Sequence, residues 1–228
     1  MTELEIRANL ERVQAFIAKA CERAQRSPKD VLLIGVSKTV EIERIQQAIA
    51  AGVPALGENR VQEAREKIET IGRMVPWHLI GSLQTNKAKD AVRLFDWIHS
   101  LDRLELAREL HRRAHALGRT VKVLVEVNVG EEPQKAGVRP SEIKHLLDAV
   151  AALTGIRVLG LMAIPPAAED AEKSRPYFRR LRELRDAAGL EHLSMGMSAD
   201  YEVAVEEGAT MVRVGTAIFG PRPARATA

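Results

Sequence analysis

The period of the hydrophobic positions changes repeatedly along this chain. Over "MTELEIRANLERVQAFIAKACERAQR" (1–26) apolar residues recur at helical spacing, and the helix closes near Ser27-Pro28. "VLLIGVS" (31–37) then runs almost without a polar break, as a strand buried on both faces does. Helical periodicity returns in "VEIERIQQAIAAG" (40–52), with Gly52 as its stop. The alternation continues through "PALGEN" (54–59), the amphipathic "RVQEAREKIETIG" (60–72), "WHLIGS" (77–82) and a helix near 85–92. Next come "DWIHSLD" (96–102), a long helix over 103–117 and the strand "TVKVLVEVNVG" (120–130), rich in β-branched residues and nearly continuous. A polar loop leads to a helix opened by Pro140-Ser141, then to the strand "GIRVLGLMAIPP" (155–166) and the helix "RPYFRRLRELRDAAG" (175–189). "LEHLSMGMSAD" (190–200), the helix "DYEVAVEEGA" (200–209) and the strand "TMVRVGTAIFG" (210–220) complete the pattern.

Eight strands separated by helices, with no break in composition, predict an α/β fold: a single (β/α)8 TIM barrel with an extra N-terminal helix, residues 1–228 forming one domain. An open doubly wound sheet is the second choice, but its G-x-G-x-x-G turn is absent.

Charge and composition narrow the partners. The 34 basic and 31 acidic residues are interleaved and leave a net charge of only +3, too balanced for a nucleic-acid surface. Four Phe, two Tyr and two Trp are also too few for base stacking. Cys21 is the only cysteine, which excludes an internal disulfide and suits a reducing compartment. The acidic, helical N-terminus does not read as a signal peptide, and no apolar run reaches bilayer length. The expectation is a cytoplasmic protein with no membrane partner.

A barrel of this kind carries its chemistry at the C-terminal ends of its strands. That rule collects Ser37, Lys38 and Thr39; Glu58 and Asn59; His78, Gly81 and Ser82; Asn128; Met162, Ala163 and Pro165. It adds Ser194, Gly196, Met197, Ser198 and Asp200 from strand seven, and Arg213, Gly215 and Thr216 from strand eight. Lys38 is notable because an ammonium at the end of the most apolar strand is costly to desolvate, unless the lysine merely snorkels to water. The loops after strands seven and eight are where such barrels most often grip a phosphate, and Ser198 is placed to cap a helix beginning near Ala199. An amine facing a phosphate grip suits a phosphorylated carbonyl compound held as a Schiff base, either a sugar phosphate or pyridoxal 5′-phosphate. Arg213 favours the second by offering a partner for a ring nitrogen. Its other reading is an ion pair with Glu58 or Glu126 inside the barrel.

Taken together, "VSKT", "GENRVQE", "WHLIGSLQTNK", "NVGEEPQKAG", "GLMAI" and "HLSMGMSADYEVAVEEGATMVRVGTAIFG" resemble the pyridoxal-phosphate homeostasis proteins, from about Val31 to Arg222. That family is a single barrel related to the N-terminal domain of bacterial alanine racemase. The resemblance implies that Lys38 forms the Schiff base with pyridoxal 5′-phosphate and that Ser198, Gly215 and Thr216 hold its phosphate. It further implies that Arg213 faces the ring nitrogen, that Asn59 lies near the phenolic oxygen, and that His78 and Met197 line the pocket. A monomer acting in vitamin B6 homeostasis follows, with pyridoxal-phosphate-dependent apoenzymes as transient partners.

An arginine opposite the ring nitrogen disfavours its protonation and weakens the ring as an electron sink. Racemisation needs a second base; the related racemases take a tyrosine from another subunit, and neither Tyr177 nor Tyr201 is an obvious substitute. The remaining alternative is a low-activity amino-acid racemase. Lys135 is a candidate second amine near the mouth, although a loop lysine is more simply solvated. His111 and His115 have the spacing of helical metal ligands but no third partner, so no metal is expected. The tail "PARATA" carries no motif.

Overall fold

The computed structural model describes residues 2–221; Arg222 and the tail beyond it lie outside the described residues. Eight parallel strands close on themselves in sequence order. They are β1 Leu32–Val36, β2 Ala55–Glu58, β3 Trp77–Leu79, β4 Trp97–Leu101, β5 Val121–Glu126, β6 Ile156–Met162, β7 His192–Met197 and β8 Met211–Val214. The helices among the described residues are α1 Glu3–Arg23, α2 Ile42–Ala50, α3 Val61–Ile71, α4 Ala88–Leu94, α5 Leu104–Ala116, α6 Ile143–Val150, α7 Arg175–Ala187, α8 Tyr201–Glu206 and α9 Thr216–Phe219. The (β/α)8 barrel and its extra N-terminal helix are therefore present.

Helix α1 starts with a capping box, in which the Thr2 hydroxyl accepts from the Glu5 amide and the Glu5 carboxylate accepts from the Thr2 amide. Its apolar stripe of Ile6, Leu10, Val13 and Ile17 is buried against α2, α8 and α9. Most of the core lies between strands and helices. A smaller cluster of Ile34, Ala55, Leu124, Leu159, Met162 and Met211 is separate from it and fills the barrel. Strand alternation divides the two, since Leu33 joins the outer core and Ile34 the inner one.

Two local expectations are corrected. The apolar stretch through Phe219 does not continue as strand eight; β8 stops at Val214 and α9 turns the chain over the barrel mouth. Strand β3 stops at Leu79; the Ile80 amide still donates to the Glu58 carbonyl at 2.9 Å, and beyond it Gly81 abuts the Asn59 backbone so closely that a Cβ would lie 2.4 Å from the Asn59 carbonyl oxygen. No helix among the described residues is long and apolar enough to cross a membrane.

Candidate functional site

A cavity of about 270 Å³ opens at the C-terminal end of the barrel. Lys38, Asn59, Met197, Ser198, Arg213, Gly215 and Thr216 all line it, so seven of the eight residues that the family resemblance assigns to the cofactor share one wall system. The eighth, His78, is not among the lining residues; it is fully buried in the barrel and bonded to His99. Val36, Val40, Ile80, Ile164 and Phe219 supply apolar wall, and Ile164 and Met197 are the exposed hydrophobics at the rim.

Lys38 follows β1 directly and is half-buried. Both its neighbours are anchored. The Ser37 carbonyl accepts from Lys67 Nζ at 2.6 Å, and the Ser37 hydroxyl donates to Glu58 Oε1 at 2.7 Å. On the other side the Thr39 amide donates to Glu63 Oε1 at 2.6 Å. Thr39 has φ 62°, a left-handed conformation that a β-branched residue adopts only when its surroundings impose it. Lys67 joins the two sides by bonding Glu58 at 2.7 Å and Glu63 at 2.6 Å. Burial pushes Glu58 upward from the usual carboxylate range against the pull of Lys67 and Ser37. Burial acts upward on Glu63 too, but hydrogen bonds from Lys67 and Thr39 outweigh it and hold Glu63 low, marking it as the more firmly ionised partner.

Ser198 does not cap α8, as the sequence had suggested. Asp200 takes that turn: α8 starts at Tyr201, and Asp200 Oδ1 accepts from the Met197 amide at 2.7 Å. Ser198 is thus released to reach across to the other loop, where its Oγ accepts from the amides of Gly215 at 3.2 Å and Ala217 at 3.5 Å. Two main-chain donors converge on one oxygen beside the Thr216 side chain, the arrangement a phosphate oxygen would use. Gly196 makes the β7 turn possible, with φ 88° and a position where a Cβ would lie 2.5 Å from the Ala204 methyl.

Arg213 reaches the cavity from β8 and is 3% exposed. Neither ion pair left open by the sequence forms among the described residues. Glu58 is taken by Lys67, and Arg213 instead donates to the Ser194 hydroxyl at 2.7 Å and the Ala163 carbonyl at 3.0 Å. Burial lowers the guanidinium to about 10, while the more distant charges of Asp200 and Glu126 favour it. A buried cation bonded only to neutral acceptors is costly unless a ligand completes its surroundings.

Strand-end reasoning missed three residues. Lys67 interrupts the apolar stripe of α3 beside Val61, Ala64, Ile68 and Ile71 and has a glutamate four residues earlier, a visible sign of a buried pair. Glu63 is that glutamate. His99 occupies an inward position of β4, a strand that contributed no candidate. Lys135 is engaged by the Glu132 carboxylate and by the Pro165 carbonyl at 3.0 Å, and is not among the lining residues. His111 accepts from the Gly155 amide at 2.9 Å, and no group of metal-ligating side chains exists among the described residues.

The model of the alanine racemase N-terminal domain matches residues 6–223. The pyridoxal phosphate homeostasis protein of Aquifex aeolicus is 50% identical over 220 residues, covering 93% of this chain and 96% of that one. The chain belongs to the pyridoxal phosphate homeostasis protein family. Among solved structures of similar sequence, an unknown protein from Bifidobacterium adolescentis superposes with TM-score 0.90 at 40% identity, covering 95% of each chain. PipY of Synechococcus elongatus, solved with PLP bound, superposes with TM-score 0.80 at 41% identity over 90% of this chain and all of that one. As a member of the homeostasis protein family, the chain offers an amine, an amide cradle and a buried guanidinium around one cavity.

Proposed function

We propose that this chain binds pyridoxal 5′-phosphate through Lys38 and acts in cytoplasmic vitamin B6 homeostasis, holding the reactive aldehyde and passing it to apoenzymes with little turnover of its own. The observation that carries the reading is the buried Arg213, without a bonded carboxylate, opening onto the cavity that Lys38 also lines. An aromatic ring with an acceptor nitrogen suits both the guanidinium and the apolar wall; a sugar phosphate would set hydroxyls against Val36, Ile80 and Phe219.

Lys38 supplies the amine that condenses with the aldehyde carbon, losing water. The Ser198 and Thr216 hydroxyls, with the amides of Gly215 and Ala217 that now donate to Ser198 Oγ, would be the donors for the phosphate. When bound, the cofactor supplies a sink for electrons from an amino-acid Cα. Arg213 limits that sink, because a permanent donor disfavours a second proton on the nitrogen it faces. Among the described residues lining the cavity, only Lys38 has a side chain suited to take a proton from carbon, whereas two-base racemisation requires one on each face. Tyr177 and Tyr201 are not among them.

The test is the visible absorption of purified protein, with borohydride reduction and peptide mass analysis. The expected result is one cofactor fixed on Lys38 and none in Lys38→Ala. A chain that stays colourless with added cofactor overturns the proposal. Rapid deuterium exchange at amino-acid Cα with accumulation of both enantiomers would replace it with a racemase.

A further inference from the structure

Inside the barrel four side chains from four strands are bonded in one line. His78 Nδ1 lies 2.9 Å from His99 Nε2, His99 Nδ1 lies 2.9 Å from Ser194 Oγ, and Arg213 donates to Ser194 Oγ at 2.7 Å. All four are buried. Strands β4 and β7 are not neighbours in the sheet, so the bond from His99 to Ser194 crosses the barrel interior.

The line has a direction, set by its arginine end. A guanidinium can only donate, so Ser194 Oγ accepts from Arg213. Although that oxygen has a second lone pair, the acceptor within hydrogen-bond distance of its own O–H among the described residues is His99 Nδ1, and the order that leaves no hydroxyl proton unpaired has Ser194 donating there. That nitrogen must then carry the lone pair, leaving the proton of His99 on Nε2, where it donates to His78 Nδ1. His78 in turn carries its proton on Nε2, which is buried without a hydrogen-bond partner. A protonated His99 would aim a second N–H at the Ser194 hydroxyl and break the order. Burial, followed by neighbouring positive charge, keeps both rings neutral, holding His78 down at about 3 and His99 well below its ordinary range.

We propose that His99 and Ser194 are positioning residues for Arg213, a directed relay that fixes the guanidinium plane with neutral partners and turns its undiminished charge toward the ring nitrogen of the bound cofactor. The alternative way to hold a buried arginine is a carboxylate, which would offset that charge. This barrel uses a hydroxyl oriented by an imidazole. The inference rests on the cofactor reading above, but its first test does not need the cofactor.

Nitrogen NMR of histidine-labelled protein without cofactor reports the tautomers directly. His78 and His99 are expected as Nε2–H forms that do not titrate between pH 5 and 8, and Ser194→Ala should release the His99 preference. Finding the proton of His99 on Nδ1 would overturn the relay whether or not the cofactor binds. The second test loads pyridoxal 5′-phosphate into His99→Leu, His99→Gln and Ser194→Ala. Glutamine presents an acceptor and a donor at nearly the spacing of the two imidazole nitrogens, so it can restore the line; leucine cannot. His99→Leu and Ser194→Ala are expected to weaken cofactor retention roughly 10- to 100-fold, as loss of a hydrogen bond to a charged group does, and to move the pH at which the visible band titrates. His99→Gln should recover most of both. If His99→Gln is as impaired as His99→Leu, or if Ser194→Ala keeps the wild-type spectrum and retention, the relay does not position Arg213. If wild-type protein takes up no cofactor, the functional proposal fails while the NMR result still judges the relay.

Discussion

Lys67 donates to the main-chain carbonyl of Ser37 at 2.6 Å, one residue before the amine that lines the cavity. The same ammonium bonds both Glu58 and Glu63, and Glu63 holds the amide of Thr39 on the far side. Lys38 is thereby presented from a backbone pinned at both flanks, with its left-handed neighbour supported by a carboxylate. Preorganisation of this kind places a reacting group without ordering it at the moment of reaction.

Lys67→Met tests the buried half of this clamp. It would leave Glu58, fully buried, without its cation, and removing one partner of a buried pair costs about 3–5 kcal/mol. Urea unfolding is expected to show that loss. Glu63→Ala probes the other half: it removes the Thr39 bond and one of the two carboxylates on Lys67, whose ammonium still pairs with Glu58, so the loss of stability should be about 1–3 kcal/mol, while loading of pyridoxal 5′-phosphate slows roughly tenfold or more. Unchanged stability in the first variant and unchanged loading in the second would remove the clamp from the account.

The fold was legible because barrel strands buried on both faces read as continuous apolar runs and their helices as periodic ones. The cavity was legible because strand ends converge, and Lys38 and Arg213 stand out chemically there. What sequence could not supply were pairings that cross the barrel or bridge a strand to a helix. Nothing local links His99 to Ser194, 95 residues away, or Ser37 to Lys67. Ser198 shows the same limit: its position invites a helix cap, yet Asp200 two residues on takes that turn, and only the closed barrel brings Gly215 within reach.

Glu126 gives a pH dependence of defined sign. It is 7% exposed, and burial, then the nearby charge of Asp102, raises it to about 7 against the opposing pull of Arg213. The folded state therefore keeps a proton that the unfolded chain releases near the ordinary value of 4.5. Its stabilisation is full below that value, declines as pH rises through the interval up to about 7, and is absent above it. The gap corresponds to about 3 kcal/mol. Glu126→Gln mimics the protonated acid, so it should stabilise the protein at pH 8 and be nearly neutral at pH 4.5 or below. Thermal melts at the two pH values check this, and an equal loss at both would refute it.

The histidines act with the opposite sign. Their folded values are depressed, so the stability they contribute is present above the ordinary 6.5 and is lost as pH falls toward the folded value of about 3 for His78. Wild-type protein is expected to be most stable near the crossover of the two effects, around pH 6.5, where protons leave Glu126 and begin to be demanded by the unfolded His78 and His99. His99→Gln should reduce the acid-side slope without altering the slope above pH 7.

Gly81→Ala addresses the seam between β2 and β3. A Cβ there would sit 2.4 Å from the Asn59 carbonyl oxygen and 2.9 Å from its Cα, both backbone atoms that cannot rotate aside. Overpacking of this type costs about 1–3 kcal/mol. Because Asn59 lines the cavity, the same displacement should weaken cofactor retention, and a variant that melts and binds as wild type would disprove the close approach.

Ser198→Ala separates the phosphate grip from the rest of the site. The hydroxyl oxygen now satisfies the amides of Gly215 and Ala217, and its removal leaves both without that acceptor and the ligand without one donor. Fold stability should drop by about 1 kcal/mol, the net value of a typical hydrogen bond. Affinity for pyridoxal 5′-phosphate should fall roughly tenfold, while affinity for pyridoxal, which lacks the phosphate, should be nearly unchanged, because the roles proposed for Lys38 and Arg213 are on the ring side of the ligand. Titration of both compounds by absorbance decides the matter. Equal losses for the two would mean that the loops at 196–198 and 215–217 shape the cavity as a whole and are not the phosphate's own binding surface.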